Sequence, residues 1–296
     1  MLDPTSFLFV TLDSCRYDAF LEADLPRLKS IGSVHRAIAP AYFTFPSHQA
    51  MFVGYTPGDF SSQEPYVNPR RGQFFRMIGP APTRPHDFML LRGRNVIDAL
   101  KRLGFLTLGT GAVGWFNPHT PTSRPLTRDF HRYFYPGNNH SVHKQVAWAE
   151  RQLRGHRRVF LFINIGETHM PYYHQGAPWP RQPNPAGPNI EQNDAAECRR
   201  RQTACLEFLD IQLAPLLDRF RHANILICSD HGDAWGEDGH WGHSFYHPKV
   251  VEVPLVFHLA QSPSPEPPPP TLREKLQWHF RRLTGRLPDP GERART

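Results

Sequence analysis

Five short apolar runs, separated by segments with helical periodicity, constrain this chain more than any other feature. Residues 7–11, 105–109, 159–165, 225–229 and 253–258 lack a 3.6-residue repeat and are short for buried helices, so they read as buried strands. Between them, Val96, Leu100 and Leu103 recur at helical spacing, with Gly104 placed as a C-terminal cap. Val142, Val146 and Leu153 mark a second helix, and Leu206, Leu209, Leu213, Leu216 and Phe220 a third, longer one. Strands alternating with helices predict an α/β fold, a mostly parallel central sheet with helices on both faces. Pro254 cannot donate to a ladder, which places it on an edge strand or among a strand's first residues.

At 296 residues the chain suffices for one large α/β domain or two small ones, and 39% hydrophobic residues supply a core. The 31 prolines cluster. Stretches 55–93 and 171–195 read as long loops over the functional edge of the sheet. Residues 261–270 read as a stiff proline-rich linker. The expected division is therefore a catalytic domain over 1–260, this linker, and a basic amphipathic helix and tail over 271–296. Leu272, Leu276, Phe280 and Leu283 share one face of that helix, which is expected to dock on the chain's own body or on a second subunit. Cys15, Cys198, Cys205 and Cys228 form no CxxC pair, so no disulfide framework is expected. No apolar run approaches the ~20 residues of a membrane span, and no signal-peptide pattern opens the chain, so a cytoplasmic location is expected. The net charge of +7 favours anionic partners without choosing among them, and no specific nucleic-acid motif stands out.

Three chemistry-bearing segments each follow a strand or open a helix. In a parallel sheet such places meet at the carboxyl ends of the strands. Asp13 directly follows the first strand, as a hard-metal ligand or a helix N-cap would. Thr44-Phe45-Pro46 suits a helix start, where a hydroxyl lies beside backbone N–H groups that also bind phosphate; a plain capping role fits Thr44 as well. Asp230-His231 follows the fourth strand and supplies mixed oxygen and nitrogen ligands, with Asp233, Glu237, Asp238, His240 and His243 close behind.

Taken in order, these segments resemble the sulfatase-like branch of the alkaline phosphatase superfamily. The quoted matches are Asp13-Ser14-Cys15-Arg16-Tyr17-Asp18, Thr44-Phe45-Pro46-Ser47-His48, Ser229-Asp230-His231-Gly232-Asp233, Gly242-His243 and Val253-Pro254-Leu255. Glu167-Thr168-His169-Met170-Pro171-Tyr172 resembles that branch's His-x-Pro-Tyr segment. Thr44 stands where sulfatases have the Cys or Ser that becomes formylglycine, which turns the expectation from sulfate esters toward phosphoryl chemistry. The set Asp13, Thr44, Asp230 and His231 is similar to the single-metal site of lipoteichoic acid synthases and phosphoethanolamine transferases, although those carry Glu at the first position.

The resemblance implies one divalent metal ion held by Asp13, Thr44, Asp230 and His231, with zinc or manganese favoured over magnesium or calcium. A second metal at His169 and His243 is disfavoured, because the Asp-x-x-x-His spacing of two-metal phosphodiesterases is absent near His169. Thr44 is implied as the nucleophile, and His169 and His243 as groups that hold the transferred oxyanion or protonate the leaving group. The implied activity is hydrolysis of a phosphate monoester or diester, on an anionic small molecule or phosphorylated substrate, through a phosphothreonine intermediate. The alternatives are a phosphoryl transferase, a sulfate or phosphonate ester hydrolase, or a non-catalytic basic binding protein.

Overall fold

The computed structural model describes residues 1–54, 95–187 and 190–260. Residues Met1–Ala260 form one compact unit. The expected 55–93 loop, proline-rich linker and C-terminal helix lie outside the described residues.

All five expected strands are present: β1 (Phe7–Leu12), β3 (Leu106–Gly111), β5 (Val159–Ile165), β6 (Asn224–Ser229) and β9 (Glu252–His258). Two short strands, β2 (His35–Ile38) and β4 (Arg132–Phe134), complete a seven-stranded sheet of order β2-β9-β6-β1-β5-β3-β4. The run β6-β1-β5-β3-β4 is parallel, and β9 is antiparallel to both β6 and β2. A two-stranded ribbon, β7 (Ala234–Trp235) with β8 (Trp241–Gly242), follows the end of β6.

Pro254 is not on an edge, since β2 covers β9 on one side. It is the third residue of β9, and the ladder to β6 begins only at Leu255, so no donor is demanded of it there. The helical run through Leu206 and Phe220 is two helices, Ala195–Gln212 and Ala214–Phe220. Pro215 has no N–H, and its ring crowds the preceding turn, which breaks the run. The upstream start comes from Asp194, whose side chain accepts the Glu197 N–H at 3.0 Å.

The sheet is covered on both sides, and its two faces differ in chemistry. Leu8, Val10 and Leu12 of β1, Leu161, Ile163 and Ile165 of β5, and Ile225 and Ile227 of β6 share an aliphatic core with helices Val142–Gln152, Ala195–Gln212 and Ala214–Phe220. Phe9, Phe160, Phe162 and Cys228, one residue out of step, face an aromatic core with Phe45 and Phe52 of helix Thr44–Val53 and Ile97 of helix Val96–Arg102. All four cysteines are free and buried. Among the described residues no helix is long and apolar enough to cross a membrane.

Candidate active site

The register of the sheet builds the site. Leu12 pairs with Ile165 on one side and with Ser229 on the other. The residues that follow, Asp13, Gly166 and Asp230, therefore leave the sheet at one level, on strands about 4.8 Å apart. The separated motifs converge for that reason. Three buried side chains lock the exits together. Thr168 donates its hydroxyl to the Asp13 carbonyl at 2.7 Å. Gln202 donates to the Ser14 and Thr168 carbonyls at 3.0 and 2.9 Å. Cys15 donates its N–H to Ser229 Oγ at 2.9 Å.

Thr44 is the first residue of its helix, with Phe43 as the extended N-cap and Gly54 as the left-handed C-cap. Ser47, one turn on, donates its hydroxyl to the Asp230 carbonyl at 2.7 Å and pins the helix start to the end of β6. His48 is buried against Phe52, Phe116 and Phe162. Burial lowers it to about 4, so it is neutral. Its Nδ1–H donates to the Thr44 carbonyl at 2.7 Å, and its Nε2 accepts from Thr11 Oγ1 at 2.9 Å. Asn164 Nδ2 donates to Asp13 Oδ2 at 3.3 Å and orients that carboxylate.

Asp13, Thr44, Asp230 and His231 are all buried and meet at one point. Thr44 Oγ1 lies 3.3 Å from Asp13 Oδ2 and 3.4 Å from His231 Nε2. His231 Nε2 is 3.9 Å from Asp13 Oδ1 and 3.7 Å from Asp230 Oδ2. Ligand atoms at ~2.0–2.2 Å from a tetrahedral metal are roughly 3.3–3.6 Å from one another, so these gaps are those of a coordination shell. Three further features fit a cation. Asp230 Oδ1 accepts the N–H groups of Ser14 and His231 at 3.2 and 3.0 Å, whereas its buried Oδ2 has no partner. Burial and the adjacent Asp13 carboxylate push the Asp230 carboxyl well up, the strain of two acids without a counter-charge. His231 donates Nδ1–H to the Gly232 carbonyl at 2.9 Å, which leaves the Nε2 lone pair for a ligand bond. Burial, with His243 adding to it, lowers His231 to about 3 and keeps it neutral.

His169 and His243 stand beside this point. The His243 ring is 4.4 Å from that of His231 and 5.4 Å from that of His169, centre to centre. His243 Nδ1 bonds Asp233 Oδ1 at 2.7 Å, and Tyr172 donates its hydroxyl to Asp233 Oδ2 at 2.7 Å. Burial opposes charging of His243, but the Asp233 carboxylate outweighs it and holds the imidazole above its ordinary value. His169 donates Nδ1–H to the Met170 carbonyl at 2.8 Å. Each ring thus keeps an Nε2 for other work. A carboxylate partner, judged absent from the spacing near His169, is present after all: Asp233 comes from the other motif. It is engaged by His243 and Tyr172, so it acts on His243 as an orienting group.

Sequence reasoning gave no role to Arg16, Asn164 or Asp233. Arg16 is 1% exposed and ties the first motif to the third. Its guanidinium bonds Asp18 at 2.6 and 2.8 Å, pairs with Glu237 at 2.7 Å and lies 4.0 Å over the Trp235 ring. A polar Asn164 inside a wholly buried strand was the signal available for that residue.

A cavity of about 550 Å³ opens over Thr44, walled by His169, Asn139, Val113, Trp115, His119 and Thr120 among others.

No family model matches the sequence, and no curated protein does. Solved structures do match. The soluble domain of lipooligosaccharide phosphoethanolamine transferase A from Neisseria meningitidis is 12% identical with a TM-score of 0.58, covering 88% of this chain and 78% of that one. The C-terminal periplasmic domain of phosphoethanolamine transferase EptC from Campylobacter jejuni is 13% identical, TM-score 0.57, covering 86% and 79%. A phosphonate monoester hydrolase of Agrobacterium radiobacter is 13% identical, TM-score 0.57, covering 86% and 68%.

Proposed function

We infer that this chain, which has the fold of the alkaline phosphatase superfamily, is a metal-dependent enzyme that cleaves phosphate esters with Thr44 as nucleophile. One observation carries the inference: buried ligand atoms of Asp13, Thr44, Asp230 and His231 gather with gaps of 3.3–3.7 Å, the spacing of a coordination shell, and Asp230 Oδ2 among them has no hydrogen-bond partner. Asp13, Thr44, Asp230 and His231 would hold the ion, and one nitrogen with three oxygens suits zinc or manganese. When bound, such an ion would offset the two buried carboxylates and make the Thr44 hydroxyl a competent nucleophile at neutral pH.

The chain's own groups supply the rest. Thr44 Oγ1, its proton released to solvent, attacks phosphorus, and the bond to the leaving oxygen breaks. Amides at the helix N-terminus carry part of the growing negative charge. His243, whose hold on a proton the Asp233 carboxylate strengthens, gives its Nε2 proton to the leaving oxygen. His169, on the wall of the same cavity, is placed to contact a phosphoryl oxygen. A phosphothreonine at Thr44 results, and neutral His243 then takes a proton from the water that hydrolyses it. Transfer to an acceptor alcohol is the second reading, because two similar structures are of phosphoethanolamine transferases.

A screen of phosphate monoesters, diesters, phosphonates and sulfate esters, with zinc, manganese, magnesium or calcium added, tests the reading. We expect zinc- or manganese-dependent turnover of a phosphate ester, lost in Thr44→Ala. Turnover of sulfate esters alone, or of nothing with any metal or acceptor, would count against it.

A further inference from the structure

A second cavity, of about 240 Å³, draws part of its wall from the same segment as the first. Asn139 lines the cavity over Thr44, while its neighbours Asn138 and His140 line this one. The segment 138–140 therefore contributes to the walls of both cavities.

The second cavity is basic. Lys144 and Arg181 line it, and neither has a carboxylate partner among the described residues; no acidic side chain is in its wall. His140, only 6% exposed, also lines it, with a ring nitrogen, Nε2, that meets no partner. Helix Val142–Gln152 begins at this wall and brings the positive end of its dipole. The buried acid nearest that helix start, Glu167, bonds the Val142 N–H at 2.8 Å. Burial raises it to about 8, so it is uncharged at neutral pH and does not oppose an anion. Two unpaired cations, an orphaned buried imidazole and a helix N-terminus around one hollow make a receptor for a compact anion.

We propose that this cavity is an anion subsite that holds a second anionic group, a phosphate or a carboxylate, of the ester whose phosphoryl group is taken at Thr44. The assignment to substrate rests on the reading of the Thr44 site; the binding of an anion does not.

Calorimetric titration of the full-length protein with inorganic phosphate tests the subsite without turnover. In Asp230→Ala, whose metal centre is dismantled, phosphate still binds, and adding Lys144→Ala and Arg181→Ala weakens it by about tenfold or more. No binding in Asp230→Ala, or equal binding after loss of both cations, overturns the subsite. Kinetics of the metal-loaded enzyme then test the substrate. Para-nitrophenyl carboxyethyl phosphate is expected to have a lower KM than para-nitrophenyl propyl phosphate. Lys144→Ala/Arg181→Ala raises KM for the carboxylate ester alone, by about tenfold, and leaves kcat unchanged. Equal effects on both esters overturn the assignment to substrate, as phosphate binding without any preference for the carboxylate ester also would. Failure of native enzyme to turn over either diester tells against phosphodiester cleavage at Thr44, and the phosphate titration still decides the subsite.

Discussion

Asp230 presents two environments on one carboxylate: Oδ1 accepts two backbone N–H groups, and Oδ2, 3.7 Å from His231 Nε2, has no hydrogen-bond partner. Such an asymmetric acid is a poor structural element and a good metal ligand, because its fixed oxygen holds the free one in place. Glu167 shows the same economy of partners, with Oε1 bonded to Val142 N–H and Oε2 unpaired. Burial raises Glu167 from 4.5 to about 8. Between those values the folded protein binds a proton that the unfolded chain has lost, so this group's contribution to stability falls as pH rises through that window. Glu167→Gln keeps the acceptor for Val142 and removes the titration. Denaturant melts across that range should show a flatter pH dependence in Glu167→Gln and a higher stability than native above pH 7; identical profiles would mean Glu167 is not held protonated. At this scale the convergence of Asp13, Thr44, Asp230 and His231 was legible, because each sits at a strand end or helix start that the apolar pattern reveals; their role as ligands was what the family resemblance implied. The orienting groups were not, since Asp233 reaching His243 depends on how the loop after β6 folds back.

The loop after β6 is held by a contact with no room for a side chain. Gly232 donates its N–H to the Val250 carbonyl at 2.7 Å, and a Cβ there would collide with the Lys249 carbonyl. The short helix Pro248–Val251 is thereby seated against the third motif, and Lys249 reaches Asp18 at 2.8 Å. Gly232→Ala should push that helix away and cost about 1–3 kcal/mol, as overpacking does, with weaker metal retention because His231 and Asp233 flank the site. Chemical denaturation and metal analysis would check it; an unchanged midpoint would show that the contact yields. Among the elements, β1, β3, β5 and β6 could be read to within about two residues because both faces are largely buried, and β9 because its run from Val253 to Phe257 is apolar although Phe257 and His258 are exposed. Strands β2 and β4 could not: His35 and Arg36 are exposed, β4 has three residues, and both are held by their partners rather than by an apolar pattern. Pro215 and the Asp194–Glu197 pair were the unused signals that divide and extend the long helix.

For the whole molecule, the ends of three parallel strands, β1, β5 and β6, brought to one level create the site, and the two dissimilar faces support it differently. The aromatic face carries helix Thr44–Val53 and so Thr44; the aliphatic face carries Gln202, which ties the strand exits. All four implied ligands lie within Met1–Ala260. A chain ending at Ala260 should therefore keep near-stoichiometric zinc or manganese, measured by elemental analysis; a folded truncation that lost its metal would mean the C-terminal segment contributes to the site. The central claim is a covalent phosphoryl transfer to Thr44. Its most direct measurement is intact-mass and peptide mass spectrometry of metal-loaded protein quenched in acid during turnover of a nitrophenyl phosphate ester. The account predicts a mass increment of one phosphoryl group on the peptide bearing Thr44, absent from Thr44→Ala, which no longer turns over. A phosphoryl group on any other residue, or turnover of Thr44→Ala within about tenfold of native, would contradict it.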